Sequence, residues 1–148
     1  MVLGMRIWVE LVFCGFGEPT VELDNLLAIA RWVKQHNQRP LKLRVNTNGL
    51  GYLLNPGREI PEELKAAGIY MVSVSLNAEN QKVYEEVCRP TINGSYEAVV
   101  NFIKSASSIL QVEATAVRIP EVDLDRIKAV AKGLGVPFRI REYIPCFY

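Results

Sequence analysis

The segment IYMVSVSLN, residues 69–77, is the clearest indication of how this chain folds. Apolar residues dominate it, but serine or asparagine stands at every second position from Ser73 to Asn77. Because strand side chains alternate between two faces, this period of two predicts a strand with one apolar and one polar face. In a β/α barrel the polar face would be the interior, where buried hydroxyls need a partner such as a ligand or a water molecule.

Similar apolar runs alternate with helical periods along the whole chain. The predicted strands are residues 8–14, 41–45, 69–76, 109–117 and 136–143. The predicted helices are residues 21–36, a segment from Pro61 to Gly68, residues 77–86, residues 95–107 and a segment from Asp123 to Gly135. Ser95 and Asp123 are the predicted caps of the last two. Strict alternation of this kind predicts an α/β fold, a parallel sheet of about five strands with right-handed crossovers.

Two architectures fit that alternation, an open doubly wound sheet and an arc of a β/α barrel. Both place ligands at the carboxyl ends of the strands. Polar residues stand at those ends in every case: Glu18, residues 46–48, Ser75, Asn77, Thr115, Arg118, Arg139 and Arg141. A continuous row without a switch point favours a partial barrel with its helices outside, formed as one domain by residues 1–148.

The composition excludes several classes of function. The net charge of +1 gives no electrostatic reason to expect nucleic acid or an anionic membrane as a partner. No apolar run is long enough for a transmembrane helix. Three distant cysteines, Cys14, Cys88 and Cys146, argue against a disulfide framework and suit the cytoplasm. We expect Cys14 to be buried in its strand, and the lone His36 argues against a histidine metal site.

The first strand runs into Gly15-Phe16-Gly17-Glu18-Pro19-Thr20. This is not the G-x-G-x-x-G dinucleotide fingerprint, and no phosphate-binding P-loop motif occurs. Two glycines let the backbone approach a ligand closely, and Glu18 offers a carboxylate suited to an amine. Taken alone, the motif favours a tight turn with an exposed glutamate, followed by a helix capped by Thr20.

The other strand ends are each open to two interpretations. Residues 46–49, Asn-Thr-Asn-Gly, can hydrogen-bond a small polar ligand, or can form a turn with a left-handed residue. Asn77 can face the same ligand as Ser75, or can cap the helix that follows. Arg139 and Arg141, together with Arg118, can bind a carboxylate or phosphate, or can be solvated charges on an edge strand.

In this order, the elements resemble the radical S-adenosylmethionine (SAM) superfamily. Residues 15–20 resemble its glycine-glycine-glutamate motif, residues 44–49 its third strand exit, and residues 72–78 with Tyr84 and Cys88-Arg89-Pro90 its fourth. Residues 138–143 resemble the sixth strand of a subgroup associated with TatD-type nucleases. The likeness covers essentially the whole chain from Glu10 onward.

The resemblance implies a set of SAM-binding residues and a radical reaction. Glu18 and the backbone of Gly15, Phe16 and Gly17 would meet the amino group of SAM. Thr47 and Ser75 would meet its carboxylate or ribose, with Asn48 and Asn77 nearby and Arg118 and Arg141 as further candidates. The family cleaves SAM reductively to a 5′-deoxyadenosyl radical.

One expected motif is missing from the sequence. The family binds a four-iron, four-sulfur (4Fe-4S) cluster through a C-x-x-x-C-x-x-C loop, and the spacing of the three cysteines does not match it. We therefore expect one of three things: a truncated, inactive radical SAM core; a cluster-free module that binds SAM or another small ligand; or an unrelated α/β protein. We also expect the edge of the first strand to be covered by residues near Trp8 or to mediate homo-oligomerisation.

Overall fold

A computed structural model describes residues 9–145 of the chain, and its centre is a parallel sheet of five strands. The strands are β1 (Glu10–Phe13), β2 (Lys42–Thr47), β3 (Ile69–Ser75), β4 (Gln111–Arg118) and β5 (Phe138–Glu142). They lie side by side in chain order, and every neighbouring pair is parallel. The predicted α/β class and the parallel sheet of a partial barrel are confirmed.

Helices connect successive strands, as the alternation predicts. A 3-10 helix, Pro19–Glu22, leads into α1 (Leu23–His36), and the later helices are α2 (Gly51–Leu54), α3 (Ile60–Ala66), α4 (Gln81–Cys88), α5 (Ser95–Ser107) and α6 (Leu124–Gly133). Helix α2 was not predicted, because four residues are too few to show a helical period. No helix within residues 9–145 is long and apolar enough to cross a membrane.

The two faces of the sheet differ sharply in chemistry. One face packs against the helices through fully buried residues such as Val45, Val74 and Ala114, which join Phe102 of α5 in the core. By strand register, the opposite face carries mostly polar side chains; we call it the inner face. Its polar members are Glu10, Lys42, Arg44, Asn46, Ser73, Ser75, Gln111, Glu113, Thr115, Arg139 and Arg141.

The predicted caps are confirmed only in part. Asp123 caps α6 by accepting a hydrogen bond from the backbone N–H of Arg126. The prediction for Thr20 is wrong, because Glu18 reaches forward to accept from the backbone N–H of Thr20. Thr20 is itself fully buried.

Two more caps lie elsewhere than predicted. Asn80, not Asn77, caps α4, since its side chain accepts from the backbone N–H of Val83. Asn77 instead takes a left-handed conformation with φ 61° at the exit of β3. At α5 the cap position belongs to Gly94, and the Ser95 hydroxyl donates to a backbone carbonyl in the preceding turn.

Gly49 fills a position at the end of β2 where any side chain would be both strained and crowded. Its φ is +81°, and an added Cβ would lie 2.9 Å from Val74 Cγ1 and 3.1 Å from Val99 Cγ1. We expect Gly49→Ala to lower the free energy of unfolding by about 2–3 kcal/mol, because overpacking adds to the left-handed strain. Gly57→Ala is the matched control: its φ of +80° carries the same strain in open space. Urea denaturation should show about 1 kcal/mol there; equal losses would contradict the packing argument.

The first strand departs from prediction at its end. Cys14 is exposed rather than buried, because β1 ends at Phe13 and the chain leaves the sheet before the cysteine. Strand β1 forms one edge of the sheet. Trp8 lies outside the described residues, so coverage of this edge and self-association through it stay predictions.

Candidate functional site

A charged network occupies the inner face and centres on Glu113 of β4. Glu113 Oε1 accepts hydrogen bonds from Arg139 Nε at 3.0 Å, Arg139 Nη2 at 2.8 Å and Ser73 Oγ at 2.7 Å. Arg44 Nη1 lies 4.0 Å from the same oxygen, and Arg44 Nε lies 2.8 Å from Glu10 Oε1. The Arg44–Glu10 contact is an ion pair outside hydrogen-bond geometry. Opposite charges therefore alternate across the sheet from β1 to β5.

This network stabilises the ionised form of Glu113, whose side chain is only 13% exposed. Burial raises the pKa of the Glu113 carboxyl, but the hydrogen bonds from Arg139 and Ser73 and the positive charges nearby outweigh it. The net result is a pKa below the usual value for glutamate. The charged network thus pairs its opposite charges with one another, although Arg44 Nε is buried without a hydrogen-bond partner among the described residues.

The carboxyl-end half of the inner face is not satisfied in this way. Asn46 Oδ1, Asn77 Oδ1 and Arg141 Nε are buried, and none has a hydrogen-bond partner among residues 9–145. Each such atom costs about 1–3 kcal/mol if it stays unpaired. Arg141 Nη2 does donate to Ser75 Oγ at 3.1 Å, which connects β5 to β3 on the carboxyl-end side of the charged network. Two acceptors and one donor in this half therefore lack a hydrogen-bond partner among the described residues.

Glu18 is held by the protein itself. Its Oε1 accepts from the Thr20 backbone N–H at 3.0 Å, from Thr20 Oγ1 at 2.6 Å and from Thr47 Oγ1 at 2.6 Å. Its Oε2 accepts from the backbone N–H of Asn48 at 2.7 Å. The carboxylate thus fastens the turn after β1 to the end of β2. Glu18 is therefore half-buried rather than the exposed glutamate of a tight turn, and its contact with the amino group of SAM stays a prediction.

Thr47 and Ser75 lie on opposite faces of the sheet, whereas the resemblance implies that both meet the carboxylate or ribose of SAM. In the register Thr47 pairs with Val74, so it points toward the helices, where it is 4% exposed. Its hydroxyl donates to Glu18 and accepts from the backbone N–H of Gly49. Strand β2 continues to Thr47, and the residue that it places on the inner face is Asn46. The alternation of Arg44 and Asn46 was the signal in the sequence.

The glycine turn has room for a ligand. Neither Gly15 nor Gly17 has a positive φ, and an added Cβ would meet nothing closer than 3.9 Å at Gly15 and nothing within 4 Å at Gly17. Phe16 between them is fully exposed. Neither backbone strain nor packing in the described chain requires glycine here, which fits the predicted close approach of a bound molecule.

The three candidate arginines have different environments. Arg139 and Arg141 share the inner face, as predicted, but Arg139 is bound to Glu113 and so does not form a joint array with Arg141. Arg118 lies on the other face, 3.1 Å from Glu142 Oε1, beside a cavity of about 590 Å³ that Val122 also lines. Arg118 therefore does not meet the site that includes Ser75.

A smaller cavity of about 230 Å³ adjoins Asn77. Its other lining residues are Val87, Cys88, Val117, Ile119 and Tyr143. Asn77 Nδ2 lies 3.8 Å from Cys88 Sγ, and burial raises the pKa of the Cys88 thiol. The Asn77 side chain, whose Oδ1 has no hydrogen-bond partner among the described residues, therefore borders a largely apolar cavity at the end of β3.

The residues fit SAM better than they fit an iron–sulfur cluster. Unpaired buried donors and acceptors suit a ligand with hydroxyl, amino and carboxylate groups. No three cysteines, histidines or carboxylates in the described part of the chain are grouped so that they could hold a metal ion. Cys14 is exposed and Cys88 half-buried, while Cys146 lies outside the described residues. The described residues therefore do not supply the three thiolates of a 4Fe-4S cluster.

Known proteins show two kinds of similarity. No family model matches the chain. A probable GTP 3′,8-cyclase of Methanocaldococcus jannaschii is 32% identical over 133 residues, which cover 87% of this chain and 41% of that protein. A probable GTP 3′,8-cyclase of Methanococcus vannielii is 30% identical over 129 residues, with the same two coverages.

A solved structure shares the fold. It is a domain of a pyruvate-formate lyase-activating enzyme from Bacteroides vulgatus, with a TM-score of 0.56 and 13% identity over 90% of this chain and 99% of that domain. The chain spans 41% of the length of each curated relative.

Proposed function

This chain resembles the radical SAM superfamily in sequence and in fold, and on that basis we propose that it is the SAM-binding part of a radical SAM core. The observation that carries the proposal is a set of buried atoms that have no hydrogen-bond partner within residues 9–145: Asn46 Oδ1 and Arg141 Nε on the inner face, and Asn77 Oδ1 just past the end of β3. They lie toward the carboxyl ends of parallel strands, where barrel folds place their ligands. The similarity to the TatD-associated subgroup stays a prediction.

Each part of the proposed site has a distinct task. The amide oxygens of Asn46 and Asn77 accept hydrogen bonds from hydroxyl or amino groups of SAM, and Ser75 Oγ supplies a hydroxyl between them. The backbone of residues 15–17 approaches the methionine part closely because no Cβ intervenes. Glu18 keeps that turn at a fixed distance from β2 through Thr47 and Asn48. Asn46 thus takes the place on the inner face that the sequence assigned to Thr47.

In the superfamily that this chain resembles, SAM bound beside an iron–sulfur cluster supplies a 5′-deoxyadenosyl radical. The described residues do not offer the cluster a ligand set, so we assign to them binding and orientation of SAM and no cleavage of it. Both curated relatives carry the name GTP 3′,8-cyclase. With 41% of their length matched, their reaction is not assigned to this chain.

Calorimetric titration with SAM tests this proposal. We expect the wild-type chain to bind SAM, and Gly17→Ala to weaken binding at least tenfold, about 1.4 kcal/mol, because the methyl group would occupy the ligand's space. Gly133→Ala is the matched control, since its Cβ also meets open space but at the end of α6. It should bind as the wild type does.

Thermal melts separate binding from folding in this experiment. Gly17→Ala should unfold at the temperature of the wild type, because nothing in the described chain lies within 4 Å of the added Cβ. If wild-type protein gives no heat with SAM, the proposed function is wrong. If Gly17→Ala binds as tightly as Gly133→Ala does, the glycine turn is not part of the site.

A further inference from the structure

The outer edge of β1 has backbone groups that can pair with a further strand. Within residues 9–145, β1 pairs with β2 alone. The backbone N–H of Lys42 donates to Val9 O at 3.2 Å, so the Val9 carbonyl points toward β2. Because the backbone groups of successive residues in a parallel strand point to opposite sides, the N–H and C=O groups of Glu10 and Val12 point away from β2. An edge of this kind is a template for strand pairing.

Apolar side chains border this edge on the helix side of the sheet. Leu11 and Phe13 stand in register with Leu43 and Val45, two fully buried residues of the core. They therefore point toward the helices, but both are only partly buried. The edge strand thus leaves apolar surface that the described chain does not cover.

The neighbouring flank of α1 is apolar as well. Arg58 forms ion pairs with Asp24 of α1 and with Glu63 of α3, so the Asp24 flank of α1 faces α3 and the interior of the sheet. Ile29 follows Asp24 by five residues, which places it about 140° away around the helix. Ile29 therefore lies on the flank toward the free edge, where it is 51% exposed, and Trp32 beside it is 61% exposed.

Antiparallel pairing of this edge with the same edge of a second copy brings complementary groups together. With a two-fold axis at Val12, the two Val12 residues exchange both backbone hydrogen bonds. Leu11 then stands opposite Phe13 of the second copy on the helix side, and no charged side chain of β1 stands opposite a like charge. Aromatic and aliphatic pairs of this kind stabilise a sheet.

The opposite edge of the sheet does not permit the same pairing. The backbone N–H of Ala114 donates to Pro137 O at 2.9 Å, so the same alternation points the N–H of Ile140 away from β4. A two-fold axis at Ile140 would place Arg139 opposite Arg141 of the second copy. Because like charges directly opposite each other destabilise a sheet, the charge pattern favours β1 over β5 for self-association.

The position of α1 fits the same arrangement. As the crossover between β1 and β2, α1 lies over the two strands that it joins. In the paired sheet, the two copies of α1 would be two strand spacings apart, which is about 10 Å. Helices that pack against each other are about 8–10 Å apart. The Ile29 flanks would therefore meet, and their apolar surface would be removed from water.

We propose that this chain forms a two-fold dimer in which the β1 edges pair antiparallel and the Ile29 flanks of the two α1 helices pack together. The occupant of the free edge is thus a second copy of this chain. The inference does not rest on the proposed function, because it uses none of the residues assigned there to SAM.

Sedimentation velocity over a range of protein concentrations tests the dimer. We expect a monomer–dimer equilibrium in the wild type. Val12→Pro removes the N–H that the pairing uses and no hydrogen bond to β2, so it should raise the dimer dissociation constant at least tenfold. Ile140→Pro is the matched control, a proline at a residue of β5 whose N–H also points to a free edge. It should leave the dissociation constant unchanged.

A second variant leaves the backbone of β1 intact. Ile29→Glu places a charge in the helix contact, and because the side chain is exposed, the monomer should unfold at the wild-type temperature. We expect the dissociation constant to rise at least tenfold here too. Gln35→Glu is the control, since Gln35 is exposed on the Asp24 flank of the same helix and should not affect the dimer.

Amide hydrogen exchange locates the contact at the β1 edge. The Val12 N–H should exchange slowly at high protein concentration and rapidly on dilution, while the Ile140 N–H exchanges rapidly at both. A chain that stays monomeric at every concentration would overturn the inference. If the Val12 N–H is also protected in that monomer, residues 1–8 cover the edge instead. A dimer that neither Val12→Pro nor Ile29→Glu weakens would have its interface elsewhere, which also refutes the inference.

Discussion

Glu18→Ala is expected to lower the free energy of unfolding by about 4 kcal/mol, because it removes one carboxylate that accepts four hydrogen bonds. Hydrogen bonds to a charged group contribute about 1.5–3 kcal/mol each, and water replaces only part of them. The buried hydroxyls of Thr20 and Thr47 would lose their acceptor inside the fold. Urea denaturation followed by circular dichroism measures the loss.

Two variants make this prediction specific. Glu18→Gln keeps the side-chain length and one acceptor oxygen, but places its NH2 group against N–H and O–H donors. We expect it to lower the free energy of unfolding by about half as much as Glu18→Ala does. Glu22→Ala removes an exposed glutamate four residues away, whose one side-chain hydrogen bond within residues 9–145 comes from Asn25 Nδ2, and should cost under about 0.5 kcal/mol. If Glu18→Ala cost no more than Glu22→Ala, the carboxylate would not be fastening β1 to β2.

Glu113→Gln is expected to destabilise the protein by about 3 kcal/mol at neutral pH, because it leaves Arg139 and Arg44 without their shared carboxylate. The effect depends on pH in a definite direction. The pKa of Glu113 is lowered in the folded chain, so its contribution is present above the unfolded value near 4.5 and is lost as the pH falls through the folded value. Wild type and variant should therefore converge in strong acid.

Unfolding curves at neutral pH and in strong acid check both parts of this expectation. Glu142→Gln is the matched control, since Glu142 pairs with Arg118 on an exposed surface where its side chain is 69% exposed. A surface pair of that kind contributes under about 1 kcal/mol. A loss at Glu113 that stays constant from neutral to acid pH would contradict the role of its ionised form.

The architecture could be predicted from the sequence, because apolar residues recur with the period of a strand or of a helix wherever one face is buried. The alternation in residues 69–77 placed Ser73 and Ser75 on one face, and the register confirms it. The row of polar strand ends indicated a barrel arc, and the strands do lie in chain order without a reversal. These features depend on local hydrophobic patterns that any parallel α/β fold shows.

The site could not be predicted in full, because the sequence did not show which residues at the end of β2 face the inner side of the sheet. A strand end predicted two residues too early left Thr47 in the following turn, whereas the register makes Asn46 the inner residue. A shift of one position exchanges the two faces of a strand, so small boundary errors become large errors in a site.

The partners of the charged residues were also beyond the sequence. Arg139 and Arg141 lie two residues apart on the same face of β5. Of the two, it is Arg139 that binds Glu113, which lies 26 residues earlier in the chain. Glu18 meets Thr47 across 29 residues of chain. Contacts of this kind arise from the packing of strands, and no local pattern records them.

The central claim is that the inner face binds a small polar ligand through Asn46, Asn77 and Arg141, and side-chain NMR tests it most directly. In a titration with SAM, we predict shifts in the side-chain amide signals of both asparagines and in the Arg141 Nε–H signal. The Arg118 Nε–H signal, on the opposite face, should not move. Shifts confined to Arg118 and its cavity, or no shift at saturating SAM, would contradict the account.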